Sequence, residues 1–146
     1  MGNKLRVVSW VLLTLIGALT LLGSVASVYV AYVADAGQDQ IGPMTLSELA
    51  EGRNDVETAL RARRGTAAAF ATGYALLFLT IVLVPYRKGE VWAWWALLIG
   101  TVATTGVILM RVPMIGSHLG LAAATIPLAV GVVALLLDAG RLKSST

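Results

Sequence analysis

The stretch Pro85-Tyr86-Arg87-Lys88-Gly89-Glu90-Val91-Trp92-Ala93-Trp94-Trp95 decides how the chain is read. An apolar run arrives at Pro85 and another leaves after Glu90. Between them lie two adjacent cations, a glycine and a carboxylate, with aromatic rings on either side. This is the pattern of a water-facing hairpin between two membrane-spanning helices. Tyr and Trp settle at the headgroup level, and Arg and Lys favour the cytoplasmic side. Placing this hairpin in the cytoplasm sets the orientation of every other segment.

Composition supports lipid as the solvent. Of 146 residues, 58% are hydrophobic and 13% charged, with mean hydropathy +0.81. Soluble domains carry roughly 25% charged residues. The formal charge of +3 does not indicate a nucleic-acid partner, because the cations stand at the ends of apolar runs and not along one soluble face. Anionic lipid headgroups are the expected counter-charge. The chain has no cysteine, which excludes disulfides, thiolate catalysis and cysteine-ligated metals, and the single His118 cannot make a multi-histidine metal or haem site. No cofactor is expected.

Outward from the hairpin, the chain reads as an all-α integral membrane four-helix bundle in one domain. The expected spans are about 7–34, 65–85, 91–111 and 118–138, and a partly helical outer loop of ~30 residues over about 35–64 separates the first two. The first run is long enough to span with tilt, and too long for the h-region of a cleaved signal peptide. In the loop, residues around Gly37, Gly42 and Pro43 read as irregular chain. Thr45-Leu46-Ser47-Glu48 fits a capping box. This predicts a short helix over about 45–51, a break near Gly52 and a second helix from about 55 that runs on into the membrane. Three sets of small residues recur at every fourth position: Gly23/Ser27/Ala31, Gly65/Ala69/Gly73 and Gly116/Gly120/Ala124. Such faces let helices approach closely where lipid offers no hydrophobic drive for packing. Pro127 predicts a kink in the last span, with Thr125 or a neighbouring helix to satisfy the freed carbonyl.

Cation placement predicts both termini inside. Lys4, Arg6, Arg87, Lys88, Arg141 and Lys143 then sit in short segments on the inner side. Arg53, Arg61, Arg63, Arg64 and Arg111 sit on the outer side, where most are interleaved with Asp35, Asp39, Glu48, Glu51, Asp55 and Glu57.

The run Tyr86-Arg87-Lys88-Gly89-Glu90-Val91-Trp92-Ala93-Trp94-Trp95 resembles a recurrent stretch in small four-span bacterial membrane proteins of the DoxX-like group. The likeness covers about ten residues, and the four-span pattern covers the chain. It implies a bacterial inner-membrane setting and brings no catalytic residue with it.

No carboxylate, lysine or histidine falls in the middle of an expected span, which argues against a pump or proton-coupled carrier. Zincin, P-loop and nucleophile-elbow motifs are absent. One constellation remains. Arg63, Arg64, Arg111 and His118 all fall near the expected outer interface, with Arg64 entering the second span and Arg111 leaving the third. Guanidinium groups match phosphate geometry, so these residues are the candidate site for an anionic ligand. Snorkelling, or pairing with a loop carboxylate, is the competing reading. The expected partners are membrane lipids, with another membrane protein or a second copy of the chain. A non-enzymatic scaffold subunit ranks first. A binder or carrier of a lipid-like or anionic amphipathic ligand ranks second. A membrane enzyme using His118 and an outer carboxylate ranks third.

Overall fold

The computed structural model describes residues 2–118 and 121–143. Within them the regular secondary structure is helical apart from one small β-hairpin. Helix α1 spans Gly2–Tyr32, β1 Gln40–Ile41, β2 Met44–Thr45, α2 Leu46–Ala50 and α3 Asn54–Ile81. A π-helical turn over Val82–Tyr86 extends α3. Helices α4 (Val91–Leu109), α5 (Arg111–Ile115) and α6 (Leu121–Leu137) follow, and a 3-10 turn covers Ala139–Lys143.

Among the described residues, three helical segments are long and apolar enough to cross a membrane: Lys4–Tyr32, Asn54–Tyr86 and Val91–Ile115. The fourth expected span, about 118–138, is represented by α6. It is described over Leu121–Leu137. Gly120, from the third small-residue face, lies outside the described residues.

The chain forms two compact units, residues 1–18 with 77–146 and residues 19–76. In the first, the hairpin is built by a Schellman cap. Gly89 takes a left-handed backbone (φ +96°), its N–H donates to the Tyr86 carbonyl at 3.1 Å, and the Glu90 N–H reaches back to the Pro85 carbonyl at 3.1 Å. These are the paired 5→2 and 6→1 bonds that end a helix at a glycine. Pro85 has no N–H to continue an α-helical ladder, and its ring crowds the carbonyl one turn back. A wider π turn accommodates both effects.

The core of this unit differs from a uniform aromatic belt. Tyr86 and Trp94 are buried, whereas Trp92 and Trp95 are exposed. Trp94 donates its indole N–H to the Leu135 carbonyl at 2.9 Å, joining α4 to the last turn of α6; the same carbonyl also accepts from the Asp138 N–H at 3.2 Å. The Tyr86 hydroxyl meets the Ser9 hydroxyl of α1 at 2.6 Å, with both side chains fully buried. Gly131 lies against the Thr101 methyl group and Ile16. Thr125 donates to the Leu121 carbonyl, so its hydroxyl does not serve Ala123, whose carbonyl the Pro127 ring deprives of a donor.

In the second unit, α2 starts as the capping-box spacing predicts. Thr45 is the N-cap: its hydroxyl accepts from the Glu48 N–H, and the Glu48 carboxylate accepts from the Thr45 N–H at 2.7 Å. Helix α2 ends where Glu51 and Gly52 turn left-handed (φ 49° and +76°). The segment expected to be irregular holds β1 and β2, paired antiparallel with Gln40 opposite Thr45. Gly42, at φ 68°, supplies the positive φ that opens a tight two-residue hairpin turn. Helix α3 begins at Asn54, close to the helix start expected at about 55 within the partly helical loop.

The small-residue faces are only partly buried. Ala31 and Gly65 are buried, but a Cβ at Gly23 or Gly73 meets nothing within 4 Å, and Ala69 is exposed. The reason is geometric. At 3.6 residues per turn, each four-residue step drifts by about 40°, so two steps carry Gly65's line off the buried face. The buried side of α1 runs instead through Ser9, Leu13, Gly17, Ser24 and Ala31.

Two outcomes follow from this packing. A Cβ on Gly17 would lie 2.6 Å from Leu79 Cδ2 and 2.8 Å from its Cγ. Gly17→Leu is therefore expected to cost about 1–3 kcal/mol through overpacking. Gly73→Leu should leave the monomer's thermal midpoint in detergent unchanged, and equal melting of the two variants would contradict the packing described. The second outcome concerns Glu48. The Thr45 backbone N–H, and then its hydroxyl, hold the Glu48 carboxyl below its ordinary range. A lowered folded-state value means the cap contributes fully above the ordinary carboxylate range and is lost as pH falls through that lowered value. Amide exchange over 46–50 should accelerate in that acidic window, and Glu48→Gln should abolish the pH dependence.

Candidate functional site

The four residues expected to form an anion site are divided between the two units. Arg63 and Arg64 belong to residues 19–76, and Arg111 and His118 to the other unit. Arg111 opens α5 and His118 follows it, and both are exposed. Arg63 is exposed on α3.

Arg64 faces inward and is engaged. Its Nη1 donates to the Asp39 carboxylate, and its Nε lies 3.3 Å from the Ser27 hydroxyl of α1. Asp39, just before β1, is 1% exposed. The backbone around it is also tied down, since the Leu46 N–H donates to the Asp39 carbonyl at 2.8 Å. One helical turn earlier, Arg61 bonds Glu57 at 2.9 Å and reaches the Ala31 carbonyl at 3.4 Å. Gly65 lies where any side chain would strike the Tyr32 ring. Arg64 and Asp39 thus fasten the β-hairpin and α2 onto α1 and α3. Pairing with a loop carboxylate was foreseen as the competing reading for the arginines. The carboxylate that fills the role is Asp39, because β1 starts beside it and fixes its position.

A second polar cluster, in the other unit, was not foreseen. It gathers Arg6, Ser9 and Trp10 of α1, the hairpin residues Tyr86–Gly89, and Asp138 beyond α6. Asp138 is buried, and Arg6 Nε stands 3.7 Å from its Oδ1. A carboxylate at a helix C-terminus faces the negative end of the helix dipole, so a cation beside it offsets an unfavourable field. The Arg87 guanidinium lies 5.2 Å from the centroid of the Trp10 ring. From the sequence, Asp138 stands at the end of the fourth expected span, about 118–138. The signal that distinguishes it is position: it is the first charge after α6, while Arg6 is the last charge before the uncharged stretch of α1.

Among the described residues no group of three or more His, Asp or Glu side chains is placed to hold a metal ion. Compared with known proteins, the chain matches no family model, no curated protein and no solved structure. The functional reading therefore rests on geometry.

The Arg64–Asp39 pair makes an asymmetric prediction. Arg64→Gln leaves a buried carboxylate without its cation and should destabilise the loop by about 2–4 kcal/mol, discounted from a fully buried pair because Arg64 is 32% exposed. Asp39→Asn removes the charge with its attraction and should cost less. Hydrogen exchange over residues 36–50 measures both, and equal small effects would show that the pair does not hold the loop.

Proposed function

We propose that the protein is a non-enzymatic, multi-pass subunit of a bacterial inner-membrane complex, with four spans and both termini cytoplasmic. Its role is to dock another membrane protein, or a second copy of itself, through α3. Three long apolar helices support the membrane setting. The cations beside Pro85–Trp95 support the orientation.

The observation that carries the docking role is the outer face of α3. Ala62, Thr66, Ala69 and Gly73 are all exposed, and their spacings of four, three and four residues put them on one side of the helix. The exposed side of α1 carries the large apolar residues Leu15, Leu19, Leu22 and Val25 beside Gly23, whereas on α3 the large exposed residues Phe70, Leu76 and Leu77 flank the small-residue face. Lipid tails solvate such residues well. A glycine in a helix costs about 1 kcal/mol relative to alanine, and contact with lipid returns nothing for it. A second helix does, because small residues let backbones approach within van der Waals contact.

The test is native mass spectrometry of the protein extracted gently from its own membrane. The wild type is expected to carry a second copy or a second subunit, and Gly73→Leu to lose it at unchanged thermal stability. A bare monomer for both variants would refute the docking role. A reporter active only outside the cytoplasm, fused after Thr146, is expected to be silent.

A further inference from the structure

We propose that Arg6, Arg87 and Lys88 form a binding site for the phosphate of an anionic phospholipid headgroup, with Trp10 as its floor. This rests on the membrane reading given above and does not depend on the docking role.

The first support is the partition of charge. Residues 19–76 hold four arginines against six carboxylates, so the outer loop unit is acidic. The rest of the chain holds seven cations against two carboxylates, Glu90 and Asp138. The net +3 of the protein is therefore a basic excess of the hairpin unit, partly masked by an acidic loop.

The second support is that both carboxylates of the hairpin unit already have partners. Asp138 is buried beside Arg6. The Glu90 carboxylate takes the indole N–H of Trp92. Among the described residues no carboxylate pairs with Arg87 or Lys88, which are both exposed. The excess is thus local and unneutralised within the unit.

The third support is geometry suited to a phosphate. The Arg87 guanidinium lies over the Trp10 ring, 5.2 Å from its centroid, and a guanidinium held this way still has N–H donors to offer phosphate oxygens. Arg6 precedes Trp10 by one helical turn, on the same side of α1. Its Nη2 lies 3.2 Å from where a Cβ of Gly89 would stand, so the missing side chain lets Arg6 lie against the hairpin that presents Arg87 and Lys88. The 3.7 Å separation from Asp138 is an ion-pair distance and too long for a hydrogen bond, so Asp138 positions Arg6 without saturating its donors. Trp92 and Trp95, exposed on the first turns of α4, fit the interfacial depth at which a headgroup lies.

The ligand chemistry is a phosphate on an amphiphile, and the test separates this from free phosphate. Purified full-length protein is floated with phosphatidylcholine vesicles, then titrated in detergent with phosphatidylglycerol or phosphatidylcholine of equal chain length. Phosphatidylglycerol should bind at least about tenfold more tightly, and Arg87→Gln/Lys88→Gln should lose that preference. Arg63→Gln, in the other unit, should retain it. Millimolar inorganic phosphate should fail to compete, and full competition would overturn the lipid assignment in favour of a soluble phosphate. Unchanged headgroup preference in the double variant would overturn the site itself. If the double variant misfolds, Lys88→Gln alone, a change of one exposed side chain, must still weaken the preference. Failure of the wild type to float would refute the membrane reading, whereas flotation with no headgroup preference would refute this inference alone.

Discussion

The left-handed backbone at Gly89 is the constraint on which the hairpin unit depends. A residue with a Cβ adopts φ +96° only at a cost, and the Schellman bonds from Gly89 and Glu90 need that conformation. Once they form, the chain reverses within a few residues and α4 starts at Val91. Tyr86 is then held where its hydroxyl meets Ser9, and Arg87 where its guanidinium covers Trp10. Arg6 can settle against the turn because no side chain occupies that space. One glycine therefore ends a helix, sets the reversal and admits a cation.

Much of this architecture was legible in the sequence, and the reasons are local. Long uncharged runs bounded by cations mark the apolar helices, because charges are costly in hydrocarbon. Thr45 and Glu48 mark the start of α2, because a capping box is satisfied within four residues. The features that were not legible join residues far apart in the chain. Ser9 and Tyr86 are separated by 77 positions, and Trp94 and Leu135 by 41. Nothing in the local pattern near Trp94 distinguishes a buried indole from the exposed ones at Trp92 and Trp95. The small-residue faces are only partly buried within the chain for another reason. A strict four-residue repeat is not a straight line on a helix, so Gly65 and Gly73 point in different directions although both were read as one face.

The candidate anion site divides along the same lines. Depth was read from sequence by counting from the hairpin, which treats each arginine as a point on a helix end. Orientation about the axis was not counted. Arg63 and Arg64 differ by about 100° around α3, and that rotation sends one into solvent and the other onto Asp39. The carboxylate was visible in the sequence, but its partner was set by β1 and β2, whose two-residue strands are too short to leave a period-two pattern.

The hydroxyl groups show how apolar helices acquire specific partners. Thr14, Thr66 and Thr125 each donate to the carbonyl four residues earlier. A hydroxyl satisfied within its own helix is hidden from lipid and says nothing about a neighbour. The contacts that do specify neighbours pair hydroxyls from different helices: Ser9 with Tyr86 in one unit, and Thr72 with Ser24 at 3.0 Å in the other. Interhelical hydrogen bonds in membranes contribute only about 0.6 kcal/mol on average. Their effect is discriminatory, because any rotation that breaks Ser9 from Tyr86 leaves two buried hydroxyls without each other and costs more than the bond's net gain. In a chain with so much apolar surface facing outward, this penalty on wrong pairings selects one arrangement of otherwise interchangeable greasy helices.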